Sequence, residues 1–85
     1  MHYAARLGLR ETCKWIYENS GRDNNMFTQQ NLAGNTPLHF ALFEEKKNVV
    51  EWILQVYPEC KNIRNGRGKT PIDKAKGTRM ESLFE

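Results

Sequence analysis

The sequence predicts an all-α fold, a solenoid of stacked helix-turn-helix pairs joined by β-turn-like loops. Two self-similarities predict it. The stretch GNTPLHFA at residues 34–41 returns as GKTPIDKA at residues 68–75. Residues 1–17, MHYAARLGLRETCKWIY, also align without a gap on residues 38–54, LHFALFEEKKNVVEWIL. Self-similarity of this kind indicates stacked repeats, because one helix pair cannot bury its apolar face alone and must pack against a copy of itself.

The 85 residues form a single domain (1–85) of three units, roughly 1–30, 31–64 and an incomplete 65–85. The first unit opens in the middle of the repeat. Its first helix contributes Ala4, Ala5 and Leu7 to packing. Its second helix closes at Ser20-Gly21 and offers a longer apolar set, namely Cys13, Trp15, Ile16 and Tyr17. We expect Trp15 and the equivalent Trp52 to pack between repeats.

The second unit shows both helices clearly. Thr36 predicts an N-cap, because its hydroxyl can accept a hydrogen bond from a free amide of the first turn. Pro37 suits the first helical position, where its missing amide costs nothing. After the polar break EEKKN comes a second helix, NVVEWILQVY, which Pro58 ends. Its packing face consists of Val49, Val50, Ile53, Leu54 and either Trp52 or Tyr57.

The third unit repeats the Thr-Pro opening at Thr70-Pro71, but its remainder, KGTRMESLFE, is too short for a regular second helix. Polar, glycine-bearing stretches join the units, QQNLAGN and RNGRGK. They predict tight turns that project from one edge of the domain, with Gly34 and Gly68 free to take a positive φ.

A turn, the motif T-P-L-H-x-A and two antiparallel helices at this period resemble the ankyrin repeat. TPLHFA at residues 36–41 matches the motif in full, TPIDKA at 70–75 has Ile for Leu and Asp for His, and MHYAA at 1–5 is the motif entered halfway. The sequence departs from the family at residues 45–46, Glu-Lys instead of Gly-His, and in a longer loop at residues 21–27.

The resemblance implies two sets of residues. In ankyrin repeats the Thr-Pro pair opens the first helix, and the histidine bonds near the threonine and joins neighbouring turns. These structural residues are His2, Thr36, Pro37, His39, Thr70 and Pro71. The family binds other proteins with the concave face formed by the turn tips and the first helices. Position by position, the partner-binding candidates are Arg6, Leu7, Leu32, Ala33, Asn35, Phe43, Glu44, Arg64, Arg67 and Lys69.

Phe43 and Leu32 stand out among these candidates, because large apolar side chains at exposed places indicate an interaction site. The alternative for Phe43 is that it packs under the EEKKN loop.

The sequence contains no combination of residues that indicates catalysis, a cofactor or a metal. No serine or cysteine stands at a spacing that would pair with His2 or His39 as a nucleophile. The third unit has Asp73 at the same position, a change that a general base would not tolerate. The stretch GRGKT at residues 66–70 ends like a phosphate-binding loop, but Ile63 stands where that loop needs a glycine.

Two cysteines, Cys13 and Cys60, are too few for a disulfide framework or a zinc site, and they indicate an intracellular protein, cytoplasmic or nuclear. Cys13 falls where ankyrin repeats place a small buried residue. No apolar run approaches the roughly 18 residues of a membrane span. The net charge of +3 is too small to indicate nucleic-acid binding by itself.

Basic residues concentrate around the last turn: Lys61, Arg64, Arg67, Lys69, Lys74 and Lys76. They form either a solvated end of the domain or a surface for an acidic partner. Single-stranded nucleic acid is disfavoured, because no aromatic residue lies among them to stack on bases.

We predict a non-catalytic protein–protein interaction module that binds another protein through its concave face of turns and first helices, and an acidic patch on that partner is one of the two roles open to the basic turn. One alternative is a regulatory or scaffolding segment of a larger protein, such as an enzyme, a channel or a pathogen effector. Another is a binder of acidic surfaces or nucleic acid through the basic turn. The start in mid-repeat favours a piece of a longer array, and end-to-end association of copies is also open.

Overall fold

The computed structural model describes residues 1–78 and 80–84, and its helices follow the predicted order. The helices are α1 (His2–Arg6), α2 (Arg10–Asn19), α3 (Asn25–Thr28), α4 (Pro37–Phe43), α5 (Lys47–Val56) and α6 (Pro71–Ala75), with 3₁₀ helices at Pro58–Asn62 and Glu81–Phe84. Those residues contain no β-strand. The predicted all-α fold of helix pairs is confirmed, and the third unit has only a short 3₁₀ helix in place of a second α-helix.

Helices α4 and α6 begin with the same reciprocal capping. The Thr36 hydroxyl accepts a hydrogen bond from the His39 amide at 3.4 Å, and His39 Nδ1 accepts one from the Thr36 amide at 3.1 Å. At α6 the Thr70 hydroxyl accepts from the Asp73 amide at 3.2 Å, and the Asp73 carboxylate accepts from the Thr70 amide at 3.1 Å. In each helix this reciprocal pair of hydrogen bonds, called a capping box, satisfies two amides that the helix leaves unpaired. Both helices therefore start at the proline after the threonine.

The helices form two layers. Helix α4 packs between α1 and α6 in the layer of first helices, and α2 packs on α5 in the other layer. Alanines are buried in each first helix, at Ala4, Ala5, Ala41 and Ala75, so little side chain separates these short helices. The other layer contributes larger buried groups, including Cys13, Val49, Val50, Trp52 and Ile53.

The longer loop after α2 contains α3 and brings Phe27 into the core, where only 1% of this residue is exposed. Its ring centroid lies 5.2 Å from that of Tyr17, 5.6 Å from that of Trp52 and 6.1 Å from that of Tyr57. Aromatic pairs at these separations stabilise a contact beyond the area they bury. The loop therefore helps to hold the first unit against the second.

The prediction for Trp15 was wrong, although that for Trp52 is confirmed. Trp52 is 6% exposed because its ring meets Tyr17 and Phe27, which come from the first unit and its loop. Trp15 is 65% exposed. The equivalent face of α2 has no helix pair beside it within residues 1–78 and 80–84, so an equivalent position in the repeat does not give equivalent burial.

Candidate functional site

Two projecting turns form one edge of the domain: finger 1 (residues 31–35) and finger 2 (residues 65–69). Each is built around an asparagine. The Asn31 side-chain oxygen accepts hydrogen bonds from the amides two and four residues later, at 3.0 and 2.9 Å. Asn65 does the same at 2.9 and 3.1 Å. Gly34 and Gly68 have φ of +80° and +74°, which confirms the predicted positive φ.

The two fingers are joined to each other. The Gly66 amide donates to the Ala33 carbonyl at 2.8 Å. The Asn65 side-chain amide donates to the Asn35 side-chain oxygen at 3.0 Å. Gln30, just before finger 1, donates from its side chain to the Arg64 carbonyl at 2.8 Å. Since these bonds link backbone to backbone as well as side chains, the fingers form one continuous edge.

Histidines connect the fingers to the first helices. His2 Nε2 donates to the Asn35 carbonyl at 3.0 Å, and His39 Nε2 donates to the Lys69 carbonyl at 3.0 Å. A carbonyl can only accept, so His39 carries its proton on Nε2, and its Nδ1 is free to accept from Thr36. Burial lowers the pKa of His39, which favours the neutral ring. Both ring nitrogens of His39 are thus occupied by hydrogen bonds within the fold.

A groove of about 750 Å³ lies between the fingers and helices α4 and α6. It contains six of the predicted candidates, Leu32, Ala33, Asn35, Phe43, Arg67 and Lys69, together with Asn65, Gly66, Asp73 and Lys74. Leu32 is fully exposed and Phe43 is 39% exposed. The Phe43 ring lines the groove with the Lys74 ammonium 4.5 Å from its centroid.

The remaining candidates lie elsewhere. Arg6 lines a second, smaller groove of about 220 Å³ beside α1. Leu7 and Glu44 are exposed residues that cap the C-terminal ends of α1 and α4. The packing role predicted for Leu7 was wrong, because it follows the last residue of α1 and is 43% exposed. The Arg64 guanidinium donates to the Gly68 carbonyl at 2.8 Å, so this side chain braces its own finger.

Sequence reasoning did not place Asn65 and Asp73 in the site, and it named Lys74 only as part of the basic cluster around the last turn. Asn65 could have been found, because an asparagine stands at the same place in both fingers, at residues 31 and 65.

The groove is electropositive. Arg67, Lys69 and Lys74 are exposed, and none of them forms an ion pair with a residue of the described ranges. Asp73 contributes the one carboxylate, which already accepts the Thr70 amide. That hydrogen bond is the main reason why the pKa of Asp73 is lowered, so the group is ionised at neutral pH. The positive side chains are therefore available to a ligand, whereas the negative one is in use.

The two cysteines lie outside the groove and are buried. Burial raises the pKa of the Cys13 thiol to about 11 and that of the Cys60 thiol to about 12, so both stay protonated and unreactive at neutral pH. Over residues 1–78 and 80–84, no three metal-ligating side chains come together. The groove therefore offers surface for recognition: an aromatic ring, an exposed leucine and three cations.

Comparisons with known proteins agree with this architecture. The sequence profile of the family described as "Ankyrin repeats (3 copies)" matches residues 1–81. An "Ankyrin repeat and LEM domain-containing protein 2 homolog" from Drosophila melanogaster is 53% identical to the chain over 38 residues. That alignment covers 45% of this chain and 3% of the Drosophila protein, so the chain spans a small part of that relative's length.

Proposed function

The chain belongs to the ankyrin-repeat family, and on that premise we propose that it binds a partner protein through the groove between the fingers and the first helices, without catalysis of its own. Ankyrin repeats are in general protein–protein interaction modules. In this chain Leu32 and Phe43 are exposed apolar groups inside a groove edged by Arg67 and Lys69. Apolar anchors rimmed by arginine are typical of binding hot spots.

The groove supports binding because its walls are held in place before any ligand arrives. The hydrogen bonds between Gly66 and Ala33, and between Asn65 and Asn35, join the fingers to each other. His39 joins finger 2 to α4. A site that does not have to be ordered on binding loses less free energy on association.

The charges of the groove support a partner with an acidic patch. Arg67 and Lys69 stand on finger 2 and Lys74 on α6, so two different elements present cations to a carboxylate in the groove. The six candidates in the groove would make the direct contacts. Arg6, Leu7, Glu44 and Arg64 would contact only a partner that extends beyond it.

Affinity capture from a cell lysate with the full chain as bait tests the proposal. The bait is compared with Phe43→Ala and with Gln55→Ala, a matched control that is exposed on α5 in the other layer. With a purified partner, we expect Phe43→Ala to weaken binding by about 1–3 kcal/mol in calorimetry and Gln55→Ala to leave it unchanged. Since Phe43 is partly exposed, its loss should barely lower the melting temperature. Partners that bind Phe43→Ala as tightly as the unchanged chain would contradict the proposal.

A second candidate function is that of a regulatory or scaffolding segment in a larger protein. The small share of the Drosophila relative that the chain spans favours it. Groove variants introduced into the full-length gene product would test it, because a regulatory segment should change the activity or assembly of the remainder when Phe43 and Arg67 are altered.

An intracellular location accompanies both functions, and the two buried free cysteines support it. No helix in the described part of the chain has the length and the hydropathy that crossing a bilayer demands.

A further inference from the structure

We infer that the groove recognises an extended peptide segment in which acidic residues flank one large apolar side chain. This inference rests on the proposed function and specifies the chemistry of the partner. It follows from the charge of the groove, from the placement of its apolar groups and from the hydrogen bonds that its backbone has already made.

The charge of the groove selects carboxylates. Three cations and one carboxylate line it, which leaves a net charge of +3 − 1 = +2. The Asp73 carboxylate is also engaged by the Thr70 amide and by Lys76, whose Nζ lies 3.9 Å away. A carboxylate on the ligand therefore meets cations with little competition, and charge-assisted hydrogen bonds are stronger than neutral ones.

The apolar groups of the groove favour a ligand with one large apolar side chain between its carboxylates. Leu32 projects from finger 1 and is fully exposed, while the Phe43 ring lies at the end of α4. The Lys74 ammonium sits 4.5 Å from the centroid of that ring. An apolar side chain can therefore cover Leu32 and Phe43 while a neighbouring carboxylate pairs with Lys74. Burial of such a side chain against Leu32 and Phe43 favours binding because it removes apolar surface from water.

The finger backbone limits how a peptide can bind. The Gly66 amide is used by the Ala33 carbonyl, and the Asn65 side chain is used for hydrogen bonds on both its oxygen and its nitrogen. A peptide therefore cannot pair with these groups as an added strand would. At these positions recognition depends on side chains, so the composition of the segment contributes to its affinity.

Nucleic acid would use this surface differently. Phosphates would pair with the same cations but would gain nothing from Leu32, and only a stacked base could use Phe43. Affinity for nucleic acid should depend on the cations and fall steeply with salt. Affinity for the acidic–apolar segment should require Leu32 and Phe43 as well.

Selection of linear peptides displayed on phage against the full chain tests the inference. We expect the enriched sequences to carry Asp or Glu on both sides of a Leu, Ile, Phe or Trp. A synthetic peptide of the consensus is then titrated by fluorescence polarisation. Leu32→Ser, Phe43→Ala and Arg67→Glu should each weaken its binding by about tenfold or more, as expected for hot-spot side chains. Lys14→Glu on α2 makes the same charge change away from the groove and should weaken binding far less.

Three results would overturn the inference. In the first, groove-dependent peptides are enriched without acidic–apolar composition, and the proposed function stands. In the second, no groove-dependent peptide is enriched. The proposed function is then also contradicted if the captured proteins bind Phe43→Ala as tightly as the unchanged chain, and otherwise it stands. In the third, an oligo-dT strand binds more tightly than the consensus peptide and is insensitive to Leu32→Ser, which assigns the surface to nucleic acid. Circular dichroism of each variant verifies that it is folded.

Discussion

Alanine at Gly34 should separate the two fingers, and alanine at Gly68 provides the matched control. The two glycines occupy the same place in successive repeats, with φ of +80° and +74°. A Cβ added at Gly68 would meet no atom within 4 Å. A Cβ added at Gly34 would lie 2.4 Å from the Gly66 amide nitrogen and 2.9 Å from the Asn65 carbonyl carbon. Those are backbone atoms, so no side-chain rotation can relieve the clash.

The difference between the two variants isolates the contact between fingers. Both variants place a residue with a Cβ in the left-handed backbone region, which lowers the free energy of unfolding by about 1–2 kcal/mol. Gly34→Ala adds the displacement of a packed backbone, about 1–3 kcal/mol. It also loses the hydrogen bond from Gly66 to Ala33, about 0.5–1.5 kcal/mol. We therefore expect Gly34→Ala to lower the free energy of unfolding by roughly 2–4 kcal/mol more than Gly68→Ala.

Urea denaturation followed by circular dichroism measures both losses, and equal m-values would show that the midpoints can be compared. A chain of this size has only a few kcal/mol of stability, so Gly34→Ala could leave little folded protein at room temperature. Equal losses for the two variants would refute the contact between the fingers. They would also remove the basis for a preformed groove.

The other predictions concern groups buried by the stacking. Because burial lowers the pKa of His39, the unfolded chain takes up a proton as the pH falls through the ordinary pKa of 6.5, whereas the folded chain takes it up only at lower pH. Stability in urea should therefore decrease as the pH falls below 6.5, and His39→Gln should flatten that dependence. Trp52→Ala should cost about 3–5 kcal/mol and Trp15→Ala less than about 0.5, with only Trp15 fluorescence quenched readily by acrylamide. Cys13 and Cys60 should react with a thiol reagent at pH 8 only as fast as the chain opens, and instant reaction would contradict their burial.

The helix openings could be predicted from the sequence because every local signal agrees there. A threonine caps the helix, a proline follows at a position that needs no amide, and the third helical residue returns a hydrogen bond. The structure accordingly starts α4 at Pro37 and α6 at Pro71. A segment can be predicted when its capping residues, its turn residues and its packing all indicate the same structure.

The loop after α2 could not be predicted, because it has no counterpart in the next repeat from which its structure could be inferred. Phe27 reaches the core through the short helix α3, and its partners come from both units. The prediction for Trp15 was wrong although Trp15 does have a counterpart in the next repeat. The repeat assigned it a position, but burial depends on what lies beside that position, and Trp52 has the first unit as its neighbour.

The sequence placed Lys74 in the basic cluster around the last turn, but not beside Phe43. In the 34-residue register Lys74 takes the place of Phe40 on the preceding first helix. In the sequence, a lysine at such a position on a short helix indicates a charge exposed to solvent. Its ammonium instead reaches the Phe43 ring of the neighbouring helix. Contacts of this kind join different repeats, so they cannot be found from the pattern of either repeat alone.

The division between repeated and unrepeated residues explains how one frame can serve a specific ligand. Asparagine and glycine recur at the same places in both fingers, because they make the turn itself. The positions between them differ: Leu32 corresponds to Gly66, and Ala33 to Arg67. Finger 1 is therefore apolar and finger 2 basic, although their backbones make the same hydrogen bonds. The apolar position of finger 1 and the basic positions of finger 2 therefore line one groove, in which Leu32 can meet an apolar side chain and Arg67 and Lys69 a carboxylate. The side chains of Leu32 and Arg67 take no part in the hydrogen bonds that join the fingers, so variants at these two positions can change binding while the frame stays intact.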